Sequence, residues 1–79
     1  MTGMKELVEY IAKSIATEPE AVVVTERVTR YAVSYTLIVA QQDMGRVIGK
    51  GGRMANAMRT LLHVAAVKDG KRVSLQIGE

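Results

Sequence analysis

The 79-residue sequence has no cysteine, no tryptophan and no phenylalanine, and only one histidine and one proline. The missing cysteine excludes disulfides and thiolate zinc sites, which fits a reducing compartment. With His63 as the sole histidine, a metal site would have to rest on carboxylates, and no carboxylate cluster stands out. Neither a metal nor a cofactor is expected. Ser14, Ser34 and Ser74 fall in a helical and two strand-like stretches rather than in a strained nucleophile turn. Acid–base pairs are absent too, so the sequence points away from an enzyme and from a small-molecule substrate. Its apolar runs are far shorter than the roughly 20 residues of a membrane span. The start, Met1–Glu6, lacks the apolar core of a signal peptide. A cytoplasmic location with no membrane partner is the expectation.

What is present suits one small domain spanning residues 1–79. A chain of this length buries only about 60% of its unfolded surface. Hydrophobic residues make up 48%, charged residues 24%, and the formal net charge is +3. Leu7, Val8, Ile11 and Ile15 recur at helical spacing, which predicts a helix over residues 4–16. Pro19 lies beyond its end. Valine-rich residues 21–28 predict a strand. Residues 31–40 predict a second, with Tyr31, Val33, Tyr35, Leu37 and Val39 on one apolar face. On this pattern Tyr31 and Tyr35 are packing residues, and the two strands form an antiparallel hairpin. Asp43 is placed to cap a short helix from Met44 to Ile48. A longer helix follows over residues 53–67, Asp69-Gly70 stops it, and Val73, Leu75 and Ile77 alternate with polar residues in a third strand. The order α-β-β-α-α-β makes an α+β domain, a three-stranded sheet backed by three helices.

Between the second and third helices lies Gly49-Lys50-Gly51-Gly52. Glycine at this density costs conformational entropy, and two reasons can justify it. One is steric, since a tight helix–loop–helix turn requires backbone angles that a Cβ forbids. The other is close approach of a second backbone. The start of the next helix favours an anion, and Arg46, Lys50 and Arg53 add positive charge there. A P-loop does not fit, because Gly45 and Gly49 enclose only three residues and Gly51 follows the lysine. A dinucleotide fingerprint would need glycine at Met54.

The segment Val47-Ile48-Gly49-Lys50-Gly51-Gly52-Arg53-Met54 resembles the signature of KH domains, and the element order resembles their type II arrangement. In length, in residues 43–53 and in Asp69-Gly70-Lys71-Arg72-Val73, the sequence is similar to the small bacterial KhpA family over nearly all of the chain. The resemblance implies a type II KH domain that binds single-stranded RNA. KH loops clamp about four nucleotides by the backbone. Gly49, Lys50, Gly51 and Gly52 match the clamp, with Arg46 and Arg53 beside it. Val47 and Ile48 are candidates either for the base-binding groove or for the core. The groove is expected between the short helix, the loop and the sheet edge. Gly51 departs from the polar residue common there, which removes one side-chain contact.

The resemblance further implies a role as RNA chaperone or post-transcriptional regulator, and a homodimer or a heterodimer with a larger KH-containing protein. The third helix is apolar over more than one stripe. If Met54, Met58, Leu61 and Ala65 face the core, then Leu62, Ala66 and His63 are left for a dimer contact. The alternative reading is a protein-interaction adaptor that works by dimerising, its glycine loop incidental.

Overall fold

Val33, Tyr35, Leu37 and Val39 point the same way from the central strand, and all four are buried. They form the floor of the core in a computed structural model that describes residues 4–68 and 70–78. The elements run α1 (Met4–Ile15), β1 (Val23–Val28), β2 (Ala32–Ile38), α2 (Met44–Ile48), α3 (Arg53–Lys68) and β3 (Arg72–Gly78). Strand order is β1-β2-β3, with β1 antiparallel and β3 parallel to β2. Helices cover one face of the sheet, and β3 forms a free edge. No helix among the described residues is long and apolar enough to cross a membrane.

The hairpin is as the sequence predicts, with Val28 opposite Val33 and Val23 opposite Ile38. Its turn is held by Thr29, whose N–H and hydroxyl both donate to the Ala32 carbonyl, at 2.8 and 3.0 Å. β1 begins two residues later than expected, because Pro19–Ala21 forms a 3-10 turn first. Tyr31 departs from its expected packing role. It precedes β2, in the turn, and is 72% exposed. Tyr35 does pack in the core. Burial raises its hydroxyl pKa above the usual value, and the hydrogen bond at 2.7 Å to Glu26 and that carboxylate's charge raise it further.

Helix α3 corrects a second expectation. Ala55, Met58, Leu62 and Ala66 are the residues it buries. Leu62 and Ala66 therefore belong to the core and not to an outer face. The apolar residues left outside are Leu61, Val64 and Val67, each more than half exposed. Full burial of a leucine side chain is worth about 2 kcal/mol, so Leu62 is committed to the monomer fold. Val47, a candidate for the groove, is likewise wholly buried in the core cluster. Asp69, expected at the helix stop, lies outside the described residues. Gly70 closes the helix with a positive φ of 67°, its N–H donating to Val67 and that of Lys71 to Ala66.

Asp43 precedes α2 but does not cap it with its side chain. Its carboxylate instead accepts from the Thr17 N–H at 3.0 Å, the Thr17 hydroxyl at 2.7 Å and the Glu18 N–H at 3.1 Å. It is fully buried and fully partnered, and it pins the end of α1 to the start of α2. The Thr17 N–H and hydroxyl, then Glu18 and the charge of Arg46, hold its pKa below the ordinary aspartate value despite burial. The stabilisation is complete above the unfolded-state pKa of about 3.9 and is lost as pH falls through the lower folded-state value. Asp43→Asn should lower the thermal unfolding midpoint at pH 7. It should also flatten the fall in stability below about pH 4 seen in the unsubstituted protein. Identical acid limbs in the two proteins, followed by circular dichroism, would remove this role from Asp43.

Candidate nucleic-acid interface

Helix α2 lasts only five residues because Gly49, at φ 79° and ψ 166°, adopts a conformation essentially confined to glycine. The backbone also passes too close to α3 for a side chain. A Cβ on Gly49 would sit 2.8 Å from the Met54 nitrogen and 2.9 Å from its Cβ. Gly51, at φ 66° and ψ 19°, faces open space. The steric reason for glycine therefore applies at Gly49. At Gly51 only the backbone angle requires it. Lys50–Gly52 makes a single 3-10 turn, closed by the Gly52 N–H to the Gly49 carbonyl at 3.0 Å, and α3 starts at Arg53.

Lys50, Arg53 and Arg46 are all exposed around this turn. The structure thus brings together five of the predicted site residues, Gly49 to Arg53, with Arg46 on the preceding helix. Ile48 is half-buried beside them, whereas Val47 is core. The positive end of a 16-residue helix meets three cationic side chains here, an arrangement suited to an anionic backbone.

A groove of about 470 Å³ runs along α3, walled by Arg59, Thr60 and His63 on the helix and by Val73 and Leu75 on the sheet edge. Its walls are α3 and β3, where the expectation had been the short helix, the loop and the sheet edge. Leu62 lies at its base. His63, expected on a dimer face, is exposed and lines this groove. Arg59 spans it, its Nε and Nη2 each donating to the Leu75 carbonyl at 3.3 Å. Sequence reasoning missed Arg59, Thr60, Val73 and Leu75. The available signal was the mixed polar face of α3 (Asn56, Arg59, Thr60, His63) facing an edge strand. Even-numbered β3 residues pair with β2, as shown by Arg72 donating to Tyr31 and Gly78 accepting from Val39. Val73, Leu75 and Ile77 therefore turn their backbone groups to the free edge. No group of three or more metal-binding side chains occurs among the described residues.

These contacts predict unequal costs for the glycines. Gly49→Ala should destabilise by about 2 kcal/mol or more, from the strained backbone plus the clash with Met54. Gly51→Ala should cost about 1–2 kcal/mol, from backbone strain alone. Urea denaturation of both variants measures the difference, and equal costs would refute the close approach at Gly49.

The family described as KhpA/KhpB, KH domain, matches residues 5–77. A protein of Clostridium perfringens named RNA-binding protein KhpA is 49% identical over 74 residues, covering 94% of this chain and 99% of its own length. A Listeria monocytogenes protein of the same name is 45% identical over 76 residues, covering 96% of this chain and all of its own. One from Chlamydia pneumoniae is 43% identical over 76 residues, covering 96% and 97%. No solved structure matches the chain. Glycine turn, element order and relatives agree, and the chain belongs to the KhpA/KhpB KH-domain family.

Proposed function

We propose that the chain binds single-stranded RNA, clamping the phosphate backbone with Gly49-Lys50-Gly51-Gly52 and admitting bases to the groove between α3 and β3. The observation that carries this reading is one juxtaposition. A glycine turn flanked by Arg46, Lys50 and Arg53 opens α3, and further along the same helix, from Arg59 to His63, lies a groove whose far wall is a free strand edge. Phosphates meet the turn and the helix start, and bases lie across α3 toward the backbone groups of β3. The relatives named RNA-binding protein support the same partner. No aromatic lines the groove, so selectivity among bases is low and affinity comes mainly from the phosphates. A binding module of this kind acts as an RNA chaperone or post-transcriptional regulator and performs no catalysis.

The exposed stripe of Leu61, Val64 and Val67 favours a second property, pairing with another KH-type chain through α3. A homodimer presents two loops to one RNA and gains from effective concentration. Leu62 and Ala66 support this face from beneath and do not form it.

Two measurements test these readings. Lys50→Asp should weaken binding of a labelled mixed-sequence single-stranded RNA about tenfold in fluorescence anisotropy, with a shallower salt dependence. Unchanged affinity would sink the clamp and favour the adaptor alternative. In equilibrium sedimentation the unsubstituted chain should dimerise, and Leu61→Glu with Val64→Glu should leave a folded monomer. A chain that stays monomeric at high micromolar concentration would remove the homodimer.

A further inference from the structure

Five of the eleven basic residues lie away from the glycine turn, at the opposite end of α3: Arg27, Arg30, Lys68, Lys71 and Arg72. The fold brings three separate segments together there. The Arg72 N–H donates to the Tyr31 carbonyl at 3.0 Å, joining the start of β3 to the hairpin turn. Arg27 is one residue before the end of β1, in register with Ser34 of β2. Lys71 is held by the hydrogen bond that closes α3.

Folding does not account for this charge. Lys68 complements the negative end of the helix dipole, but Arg30, Lys71 and Arg72 have no such place. Among the described residues no ion pair engages them; the one ion pair there is Lys13–Glu9. The nearby carboxylate of Glu26 is occupied by the Tyr35 hydroxyl. Asp69 offsets one of the five charges in sequence. Among the bases stands Tyr31, 72% exposed and therefore not a packing residue. Its carrier is rigid, because Thr29 ties the hairpin turn on both sides: besides its two bonds to the Ala32 carbonyl, its hydroxyl accepts from the Ala32 N–H at 3.0 Å.

This end also continues the groove. The groove's far wall ends at Val73, the residue after Arg72, and at His63 on the last turns of α3. We propose that the RNA strand held by the clamp leaves the groove past Val73 and makes a second contact here. Its phosphates lie on Arg30, Lys71 and Arg72, and one base stacks on Tyr31. The inference rests on the clamp reading and extends it. The footprint becomes the length of α3, about 24 Å, in place of the roughly four nucleotides of the loop alone. Guanidinium and ammonium groups supply affinity without sequence preference, and an exposed aromatic ring accepts any base.

Binding is measured by fluorescence anisotropy across a salt series with labelled random-sequence RNA pools of five and twelve nucleotides. Twelve nucleotides, even stacked at about 3.4 Å each, span about 40 Å and reach both ends. The unsubstituted protein should show a steeper salt slope with the longer pool. Arg30→Glu with Arg72→Glu should keep its affinity for the five-nucleotide pool within about twofold. With the twelve-nucleotide pool the same variant should lose about tenfold, and its slope should fall by about 1.4, the value for two phosphate contacts on a single strand. The longer pool offers more registers to the clamp, and the variant keeps that statistical gain. Lys5→Glu with Lys13→Glu, the same charge change on α1, should behave as the unsubstituted protein. Equal salt slopes for the two pools in the unsubstituted protein, or an unaltered long-pool slope in the arginine variant, overturns the second contact and leaves the clamp standing. An equal loss in the α1 control overturns it too, by reducing the effect to net charge. Failure to bind either pool overturns both readings.

Discussion

The backbone of Gly49 runs against the first turn of α3 with no space for a side chain, and the geometry of the site follows from that contact. A Cβ there would lie 2.8 Å from the Met54 nitrogen. Because the two backbones meet so closely, α2 and α3 are joined by a single 3-10 turn rather than a longer loop. Val47 on one side and Met58 on the other enter the same core cluster, which fixes both helices. The turn between them has no freedom to fold back, so Lys50 and Gly51 project into solvent. Such fixation suits the proposed clamp, since a preordered loop leaves little ordering to be done on binding.

Asp43 secures the other end of the same short helix. A buried carboxylate is costly unless its lone pairs are met, and here two N–H groups and a hydroxyl meet them. The residue thereby links the α1 end, the entry to α2 and, through α2, the glycine turn. Val8 and Ala12 anchor α1 in the small apolar core, and the Asp43 bonds add a polar tether just beyond its last turn. The sequence shows an aspartate ahead of a short helix, which is the pattern of a cap. Its actual partners, Thr17 and Glu18, are 26 and 25 residues away, and only tertiary structure brings them together.

Element order, the hairpin, the glycine turn and its flanking bases were legible in the sequence because each is a local pattern. The orientation of α3 was not. Its polar residues, Asn56, Arg59, Thr60 and His63, predict a buried face centred near Met54, Met58, Leu61 and Ala65. The buried face is turned from this by roughly 70°, onto Ala55, Met58, Leu62 and Ala66. The physical reason is the free edge of β3. Arg59 reaches the Leu75 carbonyl there, so part of the polar face turns in toward the sheet and part of the apolar face turns out. Tyr31 was misplaced for a related reason. Period-two alternation continues through it, but Thr29 closes the hairpin turn first and leaves it outside the strand.

That rotation explains how one helix serves several surfaces. A helix that buried its most apolar arc would leave β3 covered by aliphatic side chains and would offer no polar groove. Turning the arc opens the groove, at the cost of leaving Leu61, Val64 and Val67 in water. A local rule is broken where a site is formed, the usual place for such a conflict. The charges follow the same axis. Arg46, Lys50 and Arg53 gather at one end of α3, Lys68, Lys71 and Arg72 at the other, and Arg59 stands between them. With acidic residues sparse along this line, α3 carries basic groups at both ends, which suits the extended RNA contact proposed for it.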